Sequence, residues 1–468
     1  MFECPNCGGN LKFDISSQQL ACENCQTSAD PYAFDTSENG AVEQTVFDAT
    51  IFTCPQCGGE ILSTDTSVAE FCSFCGASTI LYSRIRKEKR PAYIIPFQKT
   101  KEDCKNAYSA FMKKAIFAPD DFKDPKRIDS FRGIYMPYWA FHMTQNQPFT
   151  LKGTRTHTRG NYTYTDHYAL SGELDASYQG LSYDASSSFD DNISEKLAPY
   201  NIKEIKPFTP AYLSGFYADT SDVPSSVYAL DATETASNAS MNEIFRTPAF
   251  SSYSLMGNSD IQLNTDISNA DSAMFPVWFL SYRNGDRVAY ATINGQTGKI
   301  VSDLPVDLKK YMIGSLLLAI PIFILLNLFF TITPRTLLAI TTGIAVLAMI
   351  LFMGESSQIK KKETGENDRG KLYRERLQAT AASQNSNNSS GEKTYQKKNF
   401  GFLTSLIAIA LGIAVFVFNP IDDLFFYGTT IFSLVGIFIT IKDIMHNYNI
   451  LATRRLPQFD RTGGNDHA

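Results

Sequence analysis

Eight of the nine cysteines in this 468-residue chain follow one pattern used twice, and that pattern limits what its N-terminal part can fold into. Cys4, Cys7, Cys22 and Cys25 form the first set, and Cys54, Cys57, Cys72 and Cys75 repeat it fifty residues on. Fourteen residues separate the pairs in both sets, and both open with Cys-Pro-x-Cys-Gly-Gly, at Cys4–Gly9 and Cys54–Gly59. A Cys-x-x-Cys turn aims two sulfurs the same way, and two such knuckles facing each other offer the four thiolates a tetrahedral zinc ion takes. The glycine relieves backbone strain in the turn. A unit of about 25 residues cannot offset its chain entropy by apolar burial alone, so bound metal supplies the folding energy. Four thiolates leave no open position for a substrate. The spacing therefore predicts two structural zinc ions.

Between the knuckles, Leu11, Phe13 and Ile15 alternate with polar residues, Ser16–Gln19 can turn, and Leu20 leads into the next pair. This is a strand hairpin, so each set reads as a zinc ribbon. We place the first at 1–30 and the second at 51–82, with strands at Ile61–Thr64 and Val68–Phe71 and a linker at 31–50. From Met1 to Tyr82, Lys12 is the one basic side chain against eleven acids. Such a surface repels a polyanion, which argues against DNA or RNA and toward a protein partner.

The C-terminal part sets the compartment. Met312–Ile332, Thr336–Met353, Phe402–Phe418 and Leu424–Ile441 are uncharged apolar stretches of 17 to 21 residues. That length crosses a hydrocarbon core, so they read as transmembrane hairpins at 312–353 and 400–441. The connection at 354–399 carries ten basic residues, including Lys360, Lys361 and Lys362, whereas the hairpin turns carry almost none. The positive-inside rule then makes that connection cytoplasmic, with both termini and the 442–468 tail on the same side of a multi-pass cell-membrane protein. Cytosolic thiols stay reduced, which suits zinc rather than disulfides. Within 354–399, the polar Gln384–Gly391 tract reads as a disordered linker.

A basic connector at 83–92, with Arg84, Arg86, Lys87, Lys89 and Arg90, leads into the middle of the chain at 93–305. Thr100 and Asp103 have capping-box spacing, and Cys104, Tyr108, Phe111, Met112, Ala115 and Ile116 mark one helical face. Cys104, the ninth cysteine, lies on that face as a core residue. Phe149–Thr158 and Tyr162–Leu170 alternate around Arg159-Gly-Asn161 as a hairpin, and strands follow at Val288–Ile293 and Lys299–Val301. The chain's two tryptophans sit in matching contexts, Tyr135-Met-Pro-Tyr-Trp139 and Met274-Phe-Pro-Val-Trp278, which suggests a weak internal duplication. The expected architecture is multi-domain: two small zinc ribbons, an α+β middle domain rich in antiparallel strands, and an all-α four-helix transmembrane region.

These motifs, together with Ile95-Pro-Phe97, Pro210-Ala-Tyr-Leu-Ser-Gly-Phe216 and Asn294-Gly-Gln-Thr-Gly-Lys299, resemble those of bacterial membrane-anchored proteins with paired N-terminal zinc ribbons. Members are often labelled after transcription-factor or replication-restart-helicase ribbons. The resemblance covers roughly Cys4 to Pro305, and it implies a membrane-associated cytosolic domain, in some relatives linked to membrane stress. A helicase is excluded by the residues themselves. In Gly295–Lys299 the glycines are too close for a phosphate loop, and Ile300 replaces the hydroxyl residue that would hold magnesium. No catalytic constellation is visible, and a metal set from His157, Asp166 and His167 is the weaker reading of what look like surface strand residues. The expected role is a membrane-tethered scaffold or sensor that contacts membrane lipid and docks a protein partner. The alternatives are nucleic-acid binding through the basic connector and an enzyme acting on lipid or peptide.

Overall fold

The computed structural model describes residues 2–34, 46–63, 72–77, 82–255, 263–329, 332–363, 368–384, 400–457 and 459. The first ribbon forms as its alternation dictates. Strand β1 (Leu11–Asp14) pairs antiparallel with β2 (Gln19–Cys22), and β3 (Ser28–Ala29) adds a short third strand. Leu11, Phe13, Leu20 and Cys22 are buried. They face the middle of the chain, where the Phe13 ring lies 5.1 Å from that of Tyr212 and Ser214 Oγ donates to Leu11 O at 2.6 Å.

The second ribbon is built into a larger sheet. Strand β4 (Val46–Thr53) lies between β5 (Glu60–Ser63) and β6 (Tyr82–Lys89). Two expected boundaries therefore move. The linker at 31–50 contains the start of β4, and the connector at 83–92 is mostly strand, because backbone pairing with β4 captures it. Asp48 stands opposite Lys87, and Arg86 bonds Glu88 and reaches Glu60 at 3.5 Å. The basic run thus meets the acids of the ribbon and gives the sheet a charged edge that discourages further strand pairing. The expected strand at Val68–Phe71 lies outside the described residues.

The middle of the chain is α+β, and its duplication is visible in the strand pairing. One unit runs β7 (Tyr93–Ile94), α1 (Lys101–Lys114), α2 (Pro125–Ile128), β8 (Arg132–Arg159) and β9 (Tyr162–Asp184). After α3 (Asp191–Leu197) and β10 (Lys206–Pro207), the second runs β11 (Tyr217–Ala218), α4 (Ala229–Arg246), β12 (Ser254–Leu255), β13 (Asp266–Asn284) and β14 (Arg287–Asn294), followed by β15 (Ile300–Ser302). Strands β8 and β13 are antiparallel neighbours, with Met136 opposite Phe275, which is the same position in each tryptophan motif. Strand β7 pairs in parallel with β13, and β11 in parallel with β8. The halves exchange equivalent bonds across this dyad. Ile95 N donates to Met274 O and Asp219 N to Tyr135 O, both at 2.9 Å. Trp139 Nε1 donates to Val223 O at 2.7 Å and Trp278 Nε1 to Lys99 O at 2.8 Å, each acceptor five residues past the short strand of the other half. Trp278 is a buried core anchor, whereas Trp139 is half-buried. Helix α1 has the expected capping box and buries Cys104, Tyr108 and Met112.

Four helices are long and apolar enough to cross a membrane: α5 (Leu308–Phe329), α6 (Pro334–Glu363), α8 (Phe400–Phe418) and α9 (Asp423–Leu451). Helices α6, α8 and α9 pack together. The expected first hairpin is not a packed pair, because α5 has no extended packing on α6 among the described residues and none of its apolar span is buried. The seam between α8 and α9 uses small residues, with Gly401, Ser405 and Ala408 buried on α8, and Gly412 of α8 is buried against Thr342 of α6. There Ser405 Oγ lies 2.6 Å from Thr440 Oγ1, and Gly401 N donates to Asp443 Oδ2 at 2.8 Å. Close backbone approach and inter-helix hydrogen bonds suit packing in lipid.

Two further segments correct the expected loop and tail. Part of 354–399 is ordered, since α6 runs on to Glu363 and α7 (Arg369–Gln384) docks on the middle domain. Arg369 pairs with Asp231 at 2.9 Å, its backbone N donates to Asp191 at 2.6 Å, and Arg374 donates to Ser187 O at 3.0 Å. After α9, β16 (Arg454–Arg455) pairs with β14. Arg454 bonds Asp190 at 2.8 Å and also Asp303, and its guanidinium lies 5.3 Å from the centre of the Tyr290 ring. Ion pairing and backbone pairing hold both segments.

Candidate metal centres

Each cysteine knuckle has the same backbone. The amide of its first cysteine donates to a carbonyl five residues on, at 2.7 to 3.0 Å, and the amide four residues on donates back to that cysteine's carbonyl. This geometry needs a left-handed residue at the fourth position, filled by Gly8, Gln26, Gly58 and Gly76 with φ of 72°, 58°, 76° and 68°. Three are glycines, which tolerate positive φ freely. Gln26 is the exception.

The knuckles bring the sulfurs together as the spacing predicted. In the first set Cys4 and Cys25 Sγ lie 3.5 Å apart and Cys7 and Cys22 Sγ 3.4 Å. In the second, Cys54 and Cys75 lie 3.8 Å apart and Cys57 and Cys72 3.7 Å. Within each set every Sγ is within 4.8 Å of the others. A tetrahedron of zinc–sulfur bonds has edges of roughly 3.8 Å. Both tetrads can hold a metal ion and are consistent with zinc. Thr27 donates to Cys25 and draws its thiol down to about 6, which favours the thiolate that a metal requires.

The surroundings of the two centres differ. All four cysteines of the second are buried, whereas Cys7 of the first is exposed and Cys25 half-buried. The second centre is covered from the far end of the chain: the Phe459 ring lies 5.6 Å from that of Phe74, and Phe459 N donates to Cys57 O at 2.6 Å. Tyr290 adds a bond from its hydroxyl to Phe74 O at 2.7 Å. The spacing located the ligands but carried no sign of this cover. Phe459 stands alone in a polar tail, and no periodicity marks it.

Other candidate residues resolve simply. His157 Nδ1 lies 3.4 Å from Asp166, and both are exposed on the β8–β9 hairpin. His167 stands opposite Thr154 and joins no metal set among the described residues. In the loop at Gly295–Lys299, Asn294 Oδ1 accepts from the amides of Gln296 and Thr297, each at 2.9 Å. Those amides serve the turn and make no phosphate cradle. Burial pushes the Cys104 thiol up to about 12, as befits a core residue.

Sequence reasoning missed a set of buried acids. Asp184, Asp191 and Asp219 lie in the middle domain, with Asp368 brought against Asp184 and Asp191 from the connection before α7. Burial raises Asp184 well above the usual carboxylate range, and Asp191 adds to the effect. Their one sequence signal is weak, two Asp-rich stretches at Asp184–Asp191 and Asp219–Asp222 with serines between them.

No protein-family model matches the chain, and no solved structure matches it. The uncharacterised protein YdjG of Bacillus subtilis strain 168 is 30% identical over 313 residues, which make up 66% of this chain and 91% of that protein. The shared stretch takes in nearly all of the relative and leaves about a third of this chain beyond it. On that identity and coverage, the chain belongs to the family of Bacillus subtilis YdjG.

Proposed function

We propose that the protein is a membrane-anchored scaffold or sensor that docks a basic protein partner at the cytoplasmic face through its first zinc ribbon. The observation that carries this reading is the contrast between the two centres. The second is enclosed in the sheet and serves the fold, while the first presents exposed Glu3, Pro5, Asn6, Cys7, Glu23 and Asp30 around its metal ligands. Clustered acids around a rigid, metal-held turn favour a cationic partner through electrostatic complementarity. Arg86 of the basic 83–92 segment is engaged with Glu60 and Glu88 within β6, which weakens that segment's support for nucleic-acid binding. The cytoplasmic assignment rests on Lys360, Lys361 and Lys362 at the end of α6, and a role in membrane stress rests on the family resemblance alone.

Cells carrying wild-type protein or a Glu3→Lys/Glu23→Lys variant are crosslinked, and the full-length protein is purified in mild detergent. A basic protein that co-purifies with wild type and is lost tenfold or more from a variant with unchanged thermal stability is the expected result. Equal recovery from both would remove the first ribbon from the docking role.

A further inference from the structure

The two halves of the duplicated middle domain differ around the residue three past their short strands, and the difference opens a cavity. In the first half Phe97, three residues past β7, is fully buried. Its ring lies 4.9 Å from that of Tyr135, 4.5 Å from Phe216 and 5.1 Å from Trp278. The residue three past β11 is Ser221. By the same register Met274 takes the place of Tyr135, Ala92 that of Phe216, and Trp139 that of Trp278. One aromatic is kept and three are replaced by smaller or more flexible side chains. The space this leaves is a cavity of about 350 Å³ lined by Trp139, Met274, Ser221 and Pro91, the neighbour of Ala92. Thr220 is half-buried, and Ser221 and Asp222 are exposed at its mouth.

A second exchange sets the chemistry. Ile95, whose amide makes the dyad bond to Met274, is fully buried, and its counterpart Asp219 is 3% exposed and lines the cavity. A position that one half fills with isoleucine holds a carboxylate in the other. Asp219 Oδ2 accepts from Ser186 Oγ and Ser188 Oγ, and Oδ1 accepts from Thr220 N at 2.8 Å. Asp222, on the same lining, accepts from the backbone of Ser187 at 2.7 Å and from its hydroxyl at 2.5 Å. On the opposite side Arg90 donates to Phe208 O at 2.7 Å and lies over the Phe208 ring, and Glu88 is bonded to Arg86. Lys89 is exposed at the rim. Burying a carboxylate is costly, and although the Ser186, Ser188 and Thr220 hydrogen bonds offset part of that cost for Asp219, they bring no positive charge, which a cation entering the cavity would supply.

We propose that this cavity binds a small organic ammonium compound, its cation directed at Asp219 and Asp222 and its apolar body against Trp139, Met274 and Tyr373. Tyr373 belongs to α7, so an occupant also touches the segment that joins the membrane helices to this domain. The site is independent of partner docking at the first ribbon.

The test uses zinc-loaded full-length protein in nanodiscs, titrated with phenethylammonium and hexylammonium and, for comparison, hexanol and hexanoate. Calorimetry is read against empty nanodiscs. Saturable binding of the ammonium compounds, at least tenfold tighter than that of either comparison compound, is expected. Asp219→Asn should weaken it tenfold or more. Ser221→Phe, which copies the filled half, should abolish it while leaving the melting temperature unchanged or higher. Preference for hexanoate, no saturable ammonium binding to the wild type, or full affinity in a folded Ser221→Phe variant would each overturn the proposal.

Discussion

Asp219 shows how one residue can couple this domain to pH. Burial is the main force on its carboxyl and pushes it up to about 7, against the opposing pull of the Ser186 and Ser188 hydroxyls. Asp368 is likewise raised to about 7, by burial first and then by Asp191. An acid whose folded pKa exceeds its unfolded value favours the fold below the unfolded value and loses that contribution as pH rises through the folded one. Both groups therefore predict that the domain becomes less stable as pH rises from about 4 to about 7. Thermal melts of zinc-saturated protein across that range should show the decline, and Asp219→Asn should make it shallower. A melting temperature that rises with pH equally in wild type and variant would contradict this. Gln26 is a second pressure point, since its φ of 58° lies where glycine stands in the other three knuckles.

At the scale of elements, the sequence was legible where a period or a turn signal is local. The β8–β9 hairpin, helix α1 and the four apolar helices all follow from patterns within a few residues of one another. Strand β6 was hidden because a run of arginines and lysines has no apolar alternation, and only its pairing with β4 makes it a strand. The duplication showed at the two tryptophans and nowhere else, because the halves otherwise share backbone pairing more than side chains. Docking of α7 and β16 was not legible, since it rests on ion pairs between residues far apart in the chain. Arg454 is the sharpest case: its side chain is 16% exposed between Asp190 and Asp303, which are equally enclosed. Arg454→Met would keep the bulk and leave two buried carboxylates without their cation, a loss of about 3–5 kcal/mol. Denaturant unfolding should show it, and adding Asp190→Asn and Asp303→Asn should recover part. Full stability in the single variant would mean that the tail contributes little.

For the whole molecule, the start of α5, the connection into α7 and the end of α9 all return to the same domain. Lys310 bonds Asp120, Arg369 pairs with Asp231, and Asn449 bonds Val306. These contacts support our proposal that the N-terminal region, that connection and the C terminus share one side of the membrane. If the basic connection is cytoplasmic, as we propose, a fluorescent protein fused after Ala468 should fold and fluoresce, and a periplasmic-type reporter placed between α8 and α9 should be active. The reverse pattern would invert the topology. The cover that Phe459 places over the second metal centre also sets an order in time. Cys54 to Cys75 are made before the four apolar helices, yet the ring that shields Phe74 and the amide that meets Cys57 O are made after them. Completion of this part of the sheet thus waits on delivery of Phe459 past all four apolar helices, and an unfinished or misinserted copy would display an uncapped cysteine knuckle to the cell's proteases.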